Sequence, residues 1–182
     1  MLRISSGSVK NKKLESPNIE GYRAIQEVAK MAVFSILGED IKDSEVLDLY
    51  AGSGNMGIEA LSRGASFCTF VDENPESIKT IEKNLFTCGF MDNFELSRKD
   101  SLKFVLSTDK TFDVIFLDPF YKDLSHKHLL KNISRICRDN SKIFFFHAPE
   151  YMIEADLADT GLDIVSERKF GQSTVSQLTK RA

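Results

Sequence analysis

Apolar runs of strand length alternate with amphipathic segments of helix length over most of this chain. Strands are predicted at 46–50, 67–71, 94–96, 112–117 and 143–146, and helices at 55–63, 75–88, 101–106, 128–138 and 153–158. A helix at 25–37 precedes them, and two closing strands at 163–167 and 174–179 flank Gly171. Alternation of this kind produces a mostly parallel sheet with helices on both faces. We therefore predict an α/β, Rossmann-like fold with a seven-stranded sheet and one antiparallel closing strand.

The composition fits one main domain and excludes several kinds of site. The 182 residues are 42% hydrophobic and carry a net charge of −3, so any nucleic-acid site must be a local one. The three cysteines and three histidines lack metal-ligand or disulfide spacing, which predicts no metal. No apolar run approaches the roughly 20 residues of a membrane span, and no signal peptide is predicted. We therefore expect a cytoplasmic protein without a membrane partner.

A glycine loop, Asp48-Leu49-Tyr50-Ala51-Gly52-Ser53-Gly54, follows the first strand of the predicted sheet. Its G-x-G-x-x-G spacing, with Asp72 farther along, is typical of dinucleotide sites. A carboxylate at Asp48 would repel a pyrophosphate, whereas it suits the ammonium and sulfonium of S-adenosylmethionine (AdoMet). We therefore predict AdoMet, with its methionine end near Asp48, its ribose at Asp72 and its adenine near Asp100-Ser101. The candidate cofactor residues are Asp48, Tyr50, Gly52, Ser53, Gly54, Asp72, Glu73, Asp100 and Ser101. Two structural alternatives stay open, a turn cap at Asp48 and a helix N-cap at Asp100.

The stretch Asp118-Pro119-Phe120-Tyr121 follows the apolar strand 112–117 and predicts a site for a planar amine. The carboxylate can accept one N–H, a carbonyl near the proline can accept the other, and an aromatic ring can stack on the base. With the cofactor loop, this predicts a methyltransferase acting on a nucleobase, with Asp118, Pro119, Phe120 and Tyr121 as catalytic candidates. The structural alternative is a proline-led turn with two core aromatics.

Residues 1–13 contain four cations and no acid, namely Arg3, Lys10, Lys12 and Lys13, and Arg23 follows. We predict that these five residues bind RNA, although a solvated terminus would show the same charge pattern. The segment 15–21 is a soft boundary, so residues 1–20 are predicted to be a basic appendage with β structure. Residues 21–182 are then the methyltransferase domain.

With these residues identified, the chain resembles the RsmD family of bacterial 16S rRNA guanine-N2 methyltransferases nearly end to end. The opening Leu2-Arg3-Ile4 through Lys12-Lys13-Leu14 is similar to the family's R-I-I-G-G-x-x-x-G-R-K-L segment, and Gly21-Tyr22-Arg23 to its G-x-R-P-T step. The stretches 47–54 and 57–64 resemble its cofactor loop and following helix, and Phe116-Leu117-Asp118-Pro119 resembles the strand into its D-P-P-F/Y motif. The resemblance implies AdoMet-dependent methylation of the N2 amine of a guanine in 16S rRNA. The implied partner is the small ribosomal subunit or an assembly intermediate.

The chain departs from the family pattern at several places. Phe120 stands where the family has its second proline, Ser5 and Ser6 replace two glycines, and Ala24-Ile25 replaces Pro-Thr. Because proline fixes φ, the change at Phe120 loosens the backbone beside the predicted base pocket. Three alternatives therefore stay open: an adenine-N6 methyltransferase on DNA or RNA, an inactive ribosome-assembly factor with the same fold, and an NAD-type oxidoreductase.

Overall fold

A computed structural model describes residues 2–119, 126–151 and 153–181. Its main sheet has seven strands in the order β5-β4-β3-β6-β7-β9-β8. These strands are β3 Glu45–Leu49, β4 Phe67–Val71, β5 Phe94–Ser97, β6 Phe112–Leu117, β7 Cys137–His147, β8 Leu162–Phe170 and β9 Ser173–Lys180. Neighbouring strands are parallel except where β9 meets β7 and β8. The predicted α/β fold, with one antiparallel closing strand, is confirmed.

Within the described residues, six α-helices cover the two faces of this sheet. They are α1 Glu27–Leu37, α2 Asn55–Ser62, α3 Pro75–Cys88, α4 Ser101–Ser107, α5 His126–Ile133 and α6 Ile153–Leu157. Helices α1, α2 and α3 pack with Val46, Phe116 and Phe144 on one face. Helices α4, α5 and α6 pack with Leu47, Leu117 and Phe145 on the other. Because both faces are covered, the central strands β3, β4 and β6 are mostly buried and apolar, whereas the edge strand β8 alternates between apolar and polar residues.

The boundary between α5 and β7 differs from the sequence prediction. A helix was expected at 128–138, but α5 ends at Ile133 and the strand β7 already begins at Cys137. The polar start of β7 is stabilised by side chains, since Arg138 forms an ion pair with Asp113 at 2.7 Å. The Ser141 hydroxyl also donates to the carbonyl of Phe112 at 2.6 Å. The sequence of this stretch lacks an apolar pattern, which is why it was not recognised as a strand.

Residues 2–14 form a short hairpin, in which β1 Leu2–Arg3 pairs antiparallel with β2 Lys13–Leu14. Its turn packs on the last residue of α2, where the Ser8 N–H donates to the Ser62 carbonyl at 2.7 Å. An added Cβ at Gly7 would lie 1.8 Å from that oxygen, so only glycine fits. Helix α2 is about 12 Å long at 1.5 Å per residue. The hairpin turn therefore lies toward the edge where the strands begin.

A buried ion pair joins this hairpin to α1 and α2. The Lys30 side chain is fully buried, and its Nζ lies 3.2 Å from the carboxylate of Glu59, which is equally buried. Lys30 also donates to the Arg3 carbonyl at 2.6 Å and to Asn55 Oδ1 at 3.1 Å. The Glu59 carboxylate in turn accepts from the Ser5 N–H at 2.8 Å. One buried cation thus connects three separate segments of the chain.

The three cysteines, Cys68, Cys88 and Cys137, are free and buried. Burial raises the pKa of each thiol above its ordinary value. Within the described ranges, none of the helices is both long and apolar enough to cross a membrane.

Candidate active site

The two sequence motifs meet at the carboxyl ends of neighbouring central strands. Strands β3 and β6 pair in parallel, with Asp48 opposite Phe116 and Leu49 opposite Leu117. Asp48 is the second-last residue of β3, and Asp118 directly follows β6. The glycine loop and Asp118 therefore share one edge of the sheet. Ligands of open α/β sheets bind at such an edge.

The glycine loop turns tightly between β3 and α2. Three of its residues have a positive φ in the left-handed region, namely Tyr50 at 59°, Gly52 at 56° and Gly54 at 76°. Gly57 packs so closely on β4 that an added Cβ would lie 2.3 Å from the ring of Phe70. The loop and the first turn of α2 are thereby held against the sheet, which leaves their backbone N–H groups at the carboxyl edge.

Asp48 is a buried carboxylate, and Asp118 is a half-buried one. Asp48 is 4% exposed, and its Oδ2 accepts from the Gly57 N–H at 2.9 Å. Burial raises the pKa of Asp48 well above its usual range, and the nearby charge of Asp118 raises it further against the effect of that hydrogen bond. Burial alone raises the pKa of Asp118 to about 7. A cation bound between them would relieve both effects, so the pair fits a positively charged ligand better than an anion.

Asp72 follows β4 and anchors the glycine loop. Its Oδ2 accepts from the Gly52 N–H at 2.8 Å, and its Oδ1 accepts from the Asn74 N–H at 2.9 Å. Each carboxylate oxygen can accept a second hydrogen bond, so a ribose diol could still donate to it. The neighbouring Glu73 is exposed.

Asp100 is the N-cap of α4, and its Oδ1 accepts from the Lys103 N–H at 2.8 Å. This is the structural alternative that the sequence left open. Asp100 and the buried Ser101 nevertheless follow β5 at the same edge as the loop. An adenine contact at these residues stays a prediction.

The remaining catalytic candidates are only partly described. Pro119 is buried directly beyond Asp118, and Phe120 and Tyr121 lie outside the described residues.

Tyr22 is a site residue that sequence reasoning missed. Its hydroxyl donates to Ser53 Oγ at 2.9 Å, and its ring lies over Gly52, where an added Cβ would be 2.8 Å from Tyr22 Cε2. Burial raises the pKa of Tyr22, the bond to Ser53 opposes this, and the charges of Asp118 and Asp48 raise it further. Tyr22 therefore lies near both carboxylates. The only available signal was its position between Gly21 and Arg23 in a segment resembling the family.

The five RNA-binding candidates are exposed, and within the described ranges none of them has a carboxylate within 4.0 Å. They are Arg3, Lys10, Lys12, Lys13 and Arg23. Arg23 lies beside the carboxyl edge, because it follows Tyr22, and it donates to Gln172 Oε1 at 3.4 Å. The Arg3 backbone is also near this edge, since Lys30 bonds both the Arg3 carbonyl and Asn55 at the start of α2.

Residues 2–179 match the model of a protein family described as Conserved hypothetical protein 95, which is the RsmD family. The chain belongs to this family. The Bacillus subtilis protein YlbH, provisionally named an rRNA methyltransferase, is 34% identical over 185 residues, which cover 99% of this chain and 100% of YlbH. The ribosomal RNA small subunit methyltransferase D of Haemophilus influenzae is 36% identical over 144 residues, covering 76% and 72% of the two chains. The solved structure of YhhF from Escherichia coli has a similar fold, with a TM-score of 0.85 and 22% sequence identity. The match covers 100% of this chain and 98% of YhhF.

Proposed function

We propose that this protein transfers a methyl group from AdoMet to the exocyclic N2 amine of a guanine in 16S rRNA. The observation that carries the proposal is the placement of Asp118-Pro119 on the strand next to the glycine loop. A cofactor bound at the loop and an amine held by Asp118 would then lie at adjoining strand ends. The small-subunit methyltransferase names of several relatives support rRNA as the substrate.

The residues around the loop fit AdoMet. Asp48 would face the cationic amino-acid portion, which compensates for the burial of its carboxylate. Asp72 would accept from the ribose hydroxyls while it holds the loop. The Nδ2 group of Asn55, at the start of α2, is buried and has no partner within the described residues, so it is one further donor for an anionic group. AdoMet supplies an electrophilic methyl group on a sulfonium.

Asp118 is proposed to act on the target amine. The base must leave any stack to reach a pocket at the sheet edge. The amine is a poor nucleophile because its lone pair is delocalised into the ring. A carboxylate that accepts one amine hydrogen favours a more tetrahedral nitrogen and stabilises the positive charge that develops there during transfer. Pro119 would offer a nearby carbonyl for the second hydrogen, and Tyr121 or Phe120 would stack on the base.

Asp72→Ala should lower AdoMet affinity by roughly ten- to a hundredfold, because a charge-assisted acceptor is worth about 1.5–3 kcal/mol. Calorimetric titration with AdoMet measures the effect. Glu82→Ala removes an exposed carboxylate of α3 and serves as the matched control, for which no change is expected. Equal affinity in the wild type and the Asp72 variant would remove Asp72 from the proposed site.

Tyr22→Ala and Tyr22→Phe should separate the two contacts of this side chain. The alanine variant loses the ring over Gly52 and is expected to bind AdoMet roughly tenfold more weakly, since the half-buried aromatic ring packs directly on the glycine loop. The phenylalanine variant keeps the ring, loses only the bond to Ser53, and should bind within about threefold of wild type. Two variants with the same affinity as wild type would show that Tyr22 covers the loop without supporting the ligand.

The deciding experiment is incubation with labelled AdoMet and small ribosomal subunits from a strain that lacks this protein. Nucleoside analysis should give N2-methylguanosine. N6-methyladenosine would support the adenine methyltransferase instead. Binding of subunits and of AdoMet without any transfer would support an inactive assembly factor, and binding of NAD in place of AdoMet would support an oxidoreductase.

A further inference from the structure

The turn between β8 and β9, residues 170–173, reaches the same edge of the sheet as Asp118. Strand β7 pairs in parallel with β6, with Phe145 opposite Leu117, and its last residue, His147, pairs with Thr174 of β9. Three strand spacings separate β6 from β8 in the sheet order. Because neighbouring strands are about 4.8 Å apart, β8 lies roughly 14 Å from β6, the strand that Asp118 directly follows.

A continuous surface connects the candidate active site to this turn. Tyr22 lies over the glycine loop, and the next residue, Arg23, donates to Gln172 at 3.4 Å. An added Cβ at Gly171 would lie 3.6 Å from the side chain of Gln26, so the turn packs against the residue that precedes α1.

Two exposed cations precede the turn on β8, Arg168 and Lys169, which we call the tip cations. Within the described residues neither has a carboxylate within 4.0 Å. Glu167 is the nearest acid along the strand, and its carboxylate accepts from the Ser176 hydroxyl at 2.7 Å. The tip cations are thus available to an external anion.

Three other cations of the sheet region form ion pairs instead. Lys142 pairs with Asp40, and Arg138 with Asp113. At the other end of the β8–β9 hairpin, a nitrogen of Arg181 lies 2.7 Å from a carboxylate oxygen of Asp163, whereas Lys180 is exposed and has no ion pair within the described residues. The tip cations are therefore distinguished by their place at the carboxyl edge, beside Arg23 and the candidate active site.

The carboxyl edge is therefore divided between two kinds of ligand. The ends of β3, β4 and β5 carry Asp48, Asp72 and Asp100, which repel phosphates and suit the proposed cofactor. We propose that the other half of the edge binds RNA, with Arg168 and Lys169 contacting backbone phosphates beside the target base and Arg23 bridging them to the active site. This inference rests on the proposed function and adds a second phosphate-binding surface to the basic hairpin.

The test compares two double variants that each remove two exposed, unpaired positive charges. Arg168→Gln with Lys169→Gln removes the tip cations. Lys131→Gln with Lys180→Gln is the matched control, since these lysines lie toward the edge where the strands begin. The probe is a fluorescein-labelled, mixed-sequence single-stranded RNA, and binding is followed by anisotropy over a series of KCl concentrations.

The tip variant should bind this RNA roughly 25-fold more weakly at about 0.1 M KCl, because each lost phosphate contact changes the logarithmic salt slope by about 0.7. Its logarithmic salt slope should be less steep by about 1.4, whereas the slope of the control should change by clearly less than that. In methyl transfer to undermethylated small subunits, the tip variant should show a raised KM with unchanged kcat and unchanged AdoMet affinity.

Equal RNA affinity and salt slope in the tip and control variants would overturn the inference. Weaker binding of the tip variant to complete subunits, with unchanged binding to free RNA, would instead assign the surface to a ribosomal protein. Failure of the proposed function is a separate result: the wild-type protein itself would then neither bind AdoMet nor methylate subunits.

Discussion

Asp118→Asn should lower kcat for rRNA methylation by roughly 10²–10³-fold, the usual effect of removing one preorganised electrostatic group. The amide preserves the shape of the side chain but cannot stabilise the positive charge that develops on the amine. Single-turnover transfer from labelled AdoMet to undermethylated small subunits measures the chemical step. AdoMet affinity should stay near that of wild type, which separates a defect in chemistry from a defect in cofactor binding. Transfer by the variant at the wild-type rate would show that Asp118 does not act on the amine.

The same substitution should stabilise the free protein at alkaline pH. Burial raises the pKa of Asp118 from 3.8 to about 7 in the folded state. The folded protein therefore holds a proton that the unfolded chain loses, and the stability due to this group falls as pH rises from about 4 to about 7. The amide side chain of the Asp118→Asn variant cannot ionise, so this variant should exceed wild type by up to about 4 kcal/mol at pH 8 and match it below pH 4.

Urea unfolding across this pH range tests the sign. If the stability difference between the variant and the wild type grew as pH falls, the ionised Asp118 carboxylate would be stabilised in the folded protein. That result would contradict the rise in its pKa that burial causes. In the free wild-type enzyme, kcat/KM should correspondingly rise with pH through about 7, because only the ionised carboxylate supports the reaction.

Lys30→Met should destabilise the protein by about 3–5 kcal/mol, since it leaves the Glu59 carboxylate buried without its cation. The loss should appear in urea unfolding as a lower midpoint with a similar slope. Lys79→Met is a suitable control, because Lys79 forms an ion pair with Glu76, three residues earlier, that is exposed to solvent. That variant should change stability by no more than about 1 kcal/mol.

A small effect of Lys30→Met, similar to that of Lys79→Met, would show that Glu59 is satisfied by its other partners alone. Those partners are the Ser5 N–H and hydroxyl, the Ser6 N–H and the Arg63 side chain. A large effect would show that these partners alone do not stabilise the buried Glu59 carboxylate and that the Lys30 ammonium is required.

Local signals were sufficient to predict much of the fold. The bounds of β4, β6 and α3 agree with the sequence prediction to the residue. For α3 the reason is visible in its caps: Asn74 accepts from the Glu76 N–H at 2.9 Å, and Gly89 ends the helix with a φ of 83°. The edge shared by the glycine loop and Asp118 was equally predictable, because parallel strands place all their carboxyl ends together.

Long-range contacts could not be predicted in the same way. The position of Tyr22 depends on how the segment before α1 crosses Gly52, and the sequence contains no local sign of that crossing. Arg168 and Lys169 were not predicted to bind RNA from the sequence, because their availability to phosphates depends on which carboxylates lie near them in the fold. The continuation of β7 to Cys137 was missed because its polar residues are satisfied by side chains from other strands.

The burial of Cys68, Cys88 and Cys137 has a practical consequence for following RNA binding in solution. Thiols that are shielded from solvent and held in their protonated form react slowly with maleimides. A single cysteine introduced at an exposed position outside the tip cations, such as Val165→Cys on β8, should therefore take up a fluorophore selectively in the otherwise unaltered protein. The β8–β9 hairpin can then report directly, by quenching or energy transfer, when a nucleic acid arrives.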